Sequence, residues 1–231
     1  MSTLHLVGGE KGGVGKSVVA RVLAQYFVDR QHAFVAVDAD TSHGALVRYY
    51  ADYTQPVDLD SFSSADQIMD RALGADRRVL VDLPSQSVRK LRSWIDSGDV
   101  ITFAGEMDVR LVFWHVTDGG YDSVQQLQRM LDDYENAFSY VVVQNHGCSA
   151  GFDQLRRSST ADAVGALGGR FVELPKLDSE VMYEIDRHGS SFWAAANIAE
   201  GERALSPMQR RRVKLWLDSC YAALSTLEDW L

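Results

Sequence analysis

Cysteine is almost missing from this chain: Cys148 and Cys220 are the only two in 231 residues, and neither belongs to a Cys-x-x-Cys pair. That excludes a disulfide scaffold and a cysteine-built metal centre. No apolar leader opens the sequence, and no stretch reaches the roughly 18 uninterrupted apolar residues of a spanning helix. The expected compartment is the cytoplasm, with no membrane partner. Proline is scarce too, four against 18 glycines, and no repeat, low-complexity tract or Pro/Ser/Gly-rich linker marks a boundary. The length therefore reads as one domain over 1–231. Basic residues are outnumbered, 23 to 32, leaving a net charge of −9 that repels phosphate backbones and anionic lipid at long range. Any nucleic-acid contact must be local. The six histidines show no His-x-x-x-His spacing, so zinc is not expected.

With 46% hydrophobic and 24% charged residues, the composition is that of a globular protein. Short β-rich runs at 3–7, 33–37, 78–83, 110–116, 140–144 and 170–174 alternate with segments of helical period. This pattern predicts an α/β fold, a mostly parallel twisted sheet with helices on both faces. Val19, Val22, Leu23, Tyr26 and Phe27 form one apolar helix face; Val88, Leu91, Trp94 and Ile95 another; Val124, Leu127, Leu131 and Tyr134 a third. Each is read as core. Residues 95–109 fit either a short strand or a helix end. A last amphipathic helix is expected at about 207–230, with Pro207 in its first turn and Val213, Leu217, Cys220, Leu224, Leu227 and Leu231 in one stripe.

Directly after the first run stands Gly8-Gly9-Glu10-Lys11-Gly12-Gly13-Val14-Gly15-Lys16-Ser17, followed by Val18 and an apolar helix. Backbone N–H groups of a glycine loop at a helix N-terminus converge on phosphate oxygens, because no Cβ blocks the approach and the helix dipole favours the anion. Gly12, Gly13, Val14, Gly15, Lys16, Ser17 and Val18 are the candidate nucleotide-binding residues. Lys16 would reach the β- and γ-phosphates, and the Ser17 hydroxyl would ligate Mg²⁺. The ordinary pattern G-x-x-x-x-G-K-[ST] calls for glycine where Glu10 stands. Lys11-Gly12-Gly13-Val14-Gly15-Lys16-Ser17 instead resembles the deviant Walker A motif of the ParA/MinD family of P-loop ATPases. The resemblance implies ATP as ligand and a sandwich homodimer around it, in which Lys11 crosses to the partner's phosphates like an arginine finger.

The same resemblance assigns Asp40, second acid of Asp38-Ala39-Asp40 at the end of the second run, to the attacking water, with Asp38 on the Mg²⁺ side. Read from the residues alone, two strand-end aspartates equally cap a turn. Typical members continue Pro-Gln-Gly-Asn, whereas this chain has Thr41-Ser42-His43-Gly44. Asp82, closing the apolar run Val79-Leu80-Val81, reads as the Walker B acid that holds Mg²⁺ near Ser17, and residues 83–87 as a switch. Asn145 ends another apolar run, either pairing with an adenine edge or forming a turn. Pro175 and Leu177, after the last run, resemble the family's adenine wall, although packing alone explains them.

Cysteine ligands for a nitrogenase-type cluster are missing after the Walker B strand. Three functions remain. The first is a ParA-like ATP-hydrolysing switch in DNA or plasmid partition or mobile-element maintenance, with an activating partner protein. The second is a MinD-like positioning ATPase, disfavoured by the acidic end at 226–231. The third is an ATP-dependent ligase of the cobyrinic acid a,c-diamide synthase or dethiobiotin synthetase type. For the first, Arg210, Arg211, Arg212 and Lys214 form a candidate patch for non-specific DNA, or simply a solvated helix face.

Overall fold

A computed structural model describes every residue except Ser42, Ala75 and Ala150. Its strands are β1 (Ser2–Gly8), β2 (Phe34–Asp38), β3 (Thr54–Pro56), β4 (Arg78–Asp82), β5 (Val109–Thr117), β6 (Ser139–Asn145) and β7 (Arg170–Leu174). Among the described residues they form one seven-stranded sheet in the order β3-β2-β4-β1-β5-β6-β7, and every pairing is parallel. All seven residues of β1 are buried, as a central strand covered on both faces demands. The six expected strands are present. The seventh, β3, escapes sequence reading because it has three residues and ends in Pro56, a residue that only a sheet edge tolerates.

The helices are α1 (Lys16–Asp29), α2 (Ala45–Tyr49), α3 (Phe62–Asp70), α4 (Val88–Ser97), α5 (Val100–Glu106), α6 (Tyr121–Tyr134), α7 (Asp153–Arg156), α8 (Ser159–Ala166), α9 (Ser179–His188), α10 (Phe192–Asn197) and α11 (Pro207–Leu224). One core joins α1, α9, α10 and α11 to one face of the sheet through Leu23, Ile185, Phe192 and Val213. A second joins α3, α4, α6 and α8 to the other face through Ile68, Trp94, Leu127 and Val164. The ambiguous stretch at 95–109 holds the end of α4, a turn, α5 and the turn into β5. Val100 and Ala104, four apart, are the positions α5 buries, while Thr102 between them is exposed; a strand would place all three on one face, and a helix does not.

The last helix begins as expected, with Pro207 in its first turn and a capping box between Ser206 and Gln209. It stops earlier than 230, at Leu224, and continues as a 3₁₀ turn over Ser225–Leu227. The stripe from Val213 to Leu231 is buried throughout at the six expected positions.

His5 in β1 and His115 in β5 are 0% and 1% exposed. Trp114 Nε1 donates to His5 Nδ1 at 3.2 Å, and His115 Nε2 lies 3.1 Å from the Ser123 carbonyl. Burial holds both imidazoles neutral, pushing their pKa values down to about 3 and about 4. The unfolded chain, with ordinary values near 6.5, takes up these protons first, so stability is complete above that pH and declines below it. Each group contributes about 1.4 kcal/mol per pH unit between roughly 6 and 4. In urea unfolding at pH 6 and pH 5, the part of the fall in stability that His5 supplies is about 1 kcal/mol, and it is expected to be missing in His5→Gln. An unchanged fall in the variant would exclude this role for His5.

A candidate nucleotide site at the carboxyl edge of the sheet

Because all strands are parallel, the ends of β1, β2, β4, β6 and β7 meet at one edge, with β1 between β4 and β5 where the connections change direction. That is where ligands of open α/β sheets collect. The glycine loop fills this place, joining β1 to α1. Glu10 ties the head of this loop to the segment after β4. Its carboxylate accepts from Val88 N–H at 2.5 Å, and its carbonyl accepts from Gln86 N–H at 3.2 Å. Gly15 precedes α1 at φ 91°, and a Cβ there would run into the Asn145 amide, so no other residue fits.

Lys16 opens α1 and is 7% exposed. Its ammonium donates to the Lys11 carbonyl at 3.0 Å and to Ser85 Oγ at 2.9 Å. Burial lowers its pKa, against the pull of Asp82, Glu10 and Asp40. Asp82 is fully buried, and neither of its oxygens completes a well-formed hydrogen bond. Burial raises its pKa to about 7; Ser17 and Lys16 favour the charged form, and Asp38 and Asp40 oppose it. A buried carboxylate with only a serine hydroxyl beside it and no full set of hydrogen bonds suits a divalent cation. Among the described residues no group of three Asp, Glu, His or Cys side chains could hold a metal by itself.

The remaining site residues divide by what holds them. Asp38 is 1% exposed, and its two oxygens accept from Asp40 N–H and Val47 N–H, both at 3.1 Å, so its carboxylate shapes the turn into α2. Burial raises its pKa. Asp40 accepts from His43 N–H at 3.0 Å, and its other oxygen lies 3.4 Å from His43 Nδ1. Ser42 lies outside the described residues. Lys11 points away from its own loop and pairs with Asp118 Oδ2 at 2.5 Å. That bond raises the Lys11 pKa; burial works against the charged Asp118, but the Lys11 bond and the Gly120 N–H together hold its pKa below the ordinary value.

Asn145 Nδ2 donates to the Val14 carbonyl at 2.8 Å, and its Oδ1 accepts from Gly147 N–H at 2.9 Å. Beside it opens a cavity of about 230 Å³ lined by Gly15, Val18, Asn145, Pro175, Leu177 and Trp216. The three expected base-site residues, Asn145 of β6 and Pro175 and Leu177 of the loop after β7, thus share one cavity with Gly15 and Val18 of the glycine loop and α1. Sequence reasoning missed Ser85, Asp118, Cys148 and Trp216. Ser85 lies inside the expected switch at 83–87, and Asp118 follows the long apolar β5, a strand-end acid that carried a usable signal. Cys148, whose Sγ donates to the Gly13 carbonyl at 3.2 Å, and Trp216 carried none. In the basic patch, Arg210 is occupied, donating to the carbonyls of Ile198, Ala199 and Leu205. Arg211, Arg212 and Lys214 are exposed.

A family model for the CobQ/CobB/MinD/ParA nucleotide binding domain matches residues 6–164. The chain belongs to this family. The match contains the glycine loop, Asp40, Asp82, Asp118 and Asn145, while Pro175, Leu177 and α11 lie beyond it. This family member is 25% identical to Protein MobD of Acidithiobacillus ferrooxidans, over 94% of this chain and 96% of MobD. Two Escherichia coli proteins named TraL are 23% and 26% identical. The alignments cover 97% and 93% of this chain and 98% and 94% of theirs. Among solved structures, MinD cell division protein of Aquifex aeolicus superposes with a TM-score of 0.51 at 13% identity, over 94% of this chain and 97% of that one. The MinC:MinD complex of the same organism gives 0.53 at 13% identity, over 97% and 96%. The likeness is one of fold. Among the described residues no helix is long and apolar enough to cross a membrane.

Proposed function

We propose that this family member is an ATP-driven molecular switch that binds ATP with Mg²⁺, closes with a second copy into a homodimer around the nucleotides, and hydrolyses ATP to ADP and phosphate. The observation that carries the reading is the division of labour between two lysines. Lys16 is folded into its own loop at 3.0 Å from the Lys11 carbonyl, while the Lys11 side chain is parked outside it on Asp118. A phosphate loop needs one cation in cis, so the second is available for a phosphate in trans.

The N–H groups of residues 12–18 cradle the phosphates, and Lys16 exchanges Ser85 for phosphate oxygens. That exchange tells residues 83–87 that nucleotide has arrived. Ser17 and Asp82 hold Mg²⁺, with Asp38 shaping the loop beside them. Bound there, Mg²⁺ neutralises charge on the phosphates. Asp40 orients the attacking water, and Asn145, Pro175 and Leu177 bound the adenine. Catalysis by Lys11, Lys16 and Asp40 is then positioning and charge stabilisation, and an activating partner protein would act on the dimer.

The cargo that fits this switch is DNA, as in partition or mobile-element maintenance. Exposed Arg211, Arg212 and Lys214 stand in the second turn of α11, where each phosphate they neutralise would add salt-dependent affinity.

The experiment is a solution mass measurement with and without ATP and Mg²⁺. The expected result is a shift from monomer to dimer, trapped in Asp40→Ala because hydrolysis is blocked. One constant mass, with turnover that rises on adding a small carboxylic acid, would replace the switch by the ligase.

A further inference from the structure

Pro175, Lys176 and Leu177, between β7 and α9, form one wall of the cavity beside Gly15 and Asn145, and hydrogen bonds at and beside this wall fix it at three points. The Leu174 carbonyl accepts from His146 N–H at 3.0 Å. Asp178 Oδ1 accepts from Glu180 N–H and Val181 N–H at 3.1 and 3.2 Å. Between them the Pro175 carbonyl accepts from Trp216 Nε1 at 2.7 Å. The first comes from the end of the neighbouring strand and the second is the N-cap of α9, whereas the third reaches across from the middle of α11. Pro175 has no N–H of its own, so its carbonyl is its single backbone anchor.

The indole is itself held. Trp216 is 5% exposed and meets Phe192 edge to face, ring centroids 4.9 Å apart. Phe192 in turn lies 4.4 Å from the guanidinium carbon of Arg21, a residue of α1. A ring packed in this way cannot turn without unpacking its neighbours. Its N–H therefore presents a fixed donor to Pro175, and the ring forms part of the lining of the same cavity.

We propose that Trp216 is a positioning residue for the nucleotide base, setting the Pro175–Leu177 wall from α11, so that base recognition depends on this helix while phosphate binding does not. The inference rests on the ATP reading above and deepens it. Phosphate is held by loop N–H groups and Lys16, whose hydrogen bonds run to Lys11 and Ser85. Trp216 acts on the wall alone. Removing its donor leaves the Pro175 carbonyl without its partner and lets the wall relax.

The test compares binding of ATP and of inorganic tripolyphosphate, each with Mg²⁺, to the full chain and to Trp216→Phe, which keeps an aromatic ring and loses the N–H. ATP is expected to weaken about tenfold, while tripolyphosphate is unchanged. Equal effects on both ligands, or none on either, would overturn the proposal. A second measurement needs no variant. In wild-type protein, ATP is expected to shift the indole N–H resonance identified by its proximity to the Phe192 ring, and tripolyphosphate to leave it in place. An indole resonance that responds alike to both overturns the proposal even if Trp216→Phe does not fold. Lys16-dependent ATP binding in wild type separates the two ideas: if it is present and Trp216→Phe binds ATP normally, only the base-positioning role fails; if it is missing, both fail.

Discussion

Lys16→Ala is expected to reduce ATP affinity by two to three orders of magnitude, to the point where titration calorimetry detects no binding. Lys16 is the buried cation of the loop; the charges of Asp82, Glu10 and Asp40 pull its pKa upward against burial, and those of Asp38 and Asp40 help raise the pKa of Asp82. Without the ammonium, the triphosphate enters a pocket whose nearby side-chain charges are carboxylates. Truncating one partner of a buried, hydrogen-bonded charge pair costs about 2–5 kcal/mol, and about 1.4 kcal/mol is a factor of ten. Ser17→Ala is expected to keep most of the nucleotide affinity and lose its dependence on Mg²⁺. ATP affinity within threefold of wild type in Lys16→Ala would remove the phosphate-loop assignment.

The second large effect concerns Lys11. Lys11→Ala is expected to leave ATP binding to one subunit nearly intact while ATP-driven dimerisation and turnover are lost together, because the cation is needed only across the interface. Mixing Lys11→Ala with Asp40→Ala subunits is expected to restore part of the activity, since one of the two nucleotides then has an intact Asp40 and a partner-supplied Lys11. Asp118→Asn should act in the opposite direction. It weakens the cis hold seen at 2.5 Å, so the dimer forms at lower ATP concentration. Mass photometry and phosphate release report these changes. Mixed heterodimers that stay as inactive as either parent would refute the trans role.

The glycine loop, the strand-end Asp82 and the Asp40 turn were legible as candidate site elements because each combines a residue type with a place: glycine and lysine after a buried strand, acids at strand ends. The strand pattern was legible for the same reason, since strands covered on both faces are nearly continuous apolar runs. Residues 95–109 were not. Val100-Ile101-Thr102-Phe103 suits either state locally, and the packing of Val100 and Ala104 together decided it. Asp38 carries two meanings in sequence, cap and metal-side helper, and the structure shows its oxygens taken up by backbone N–H groups.

By itself, the sequence determined the class of fold, the family resemblance and the place of the candidate phosphate loop, because these depend on residues close together in the chain. Only the tertiary structure decided that Glu10 ties the loop to Val88, that Lys11 rests on Asp118, that Arg210 is spent on carbonyls and that Trp216 braces Pro175. The Lys11 and Trp216 pairings join residues 107 and 41 positions apart. No local pattern encodes such contacts: they follow from how parallel strands bring distant loops to one edge, and from which side chains remain there with an unmet donor or charge.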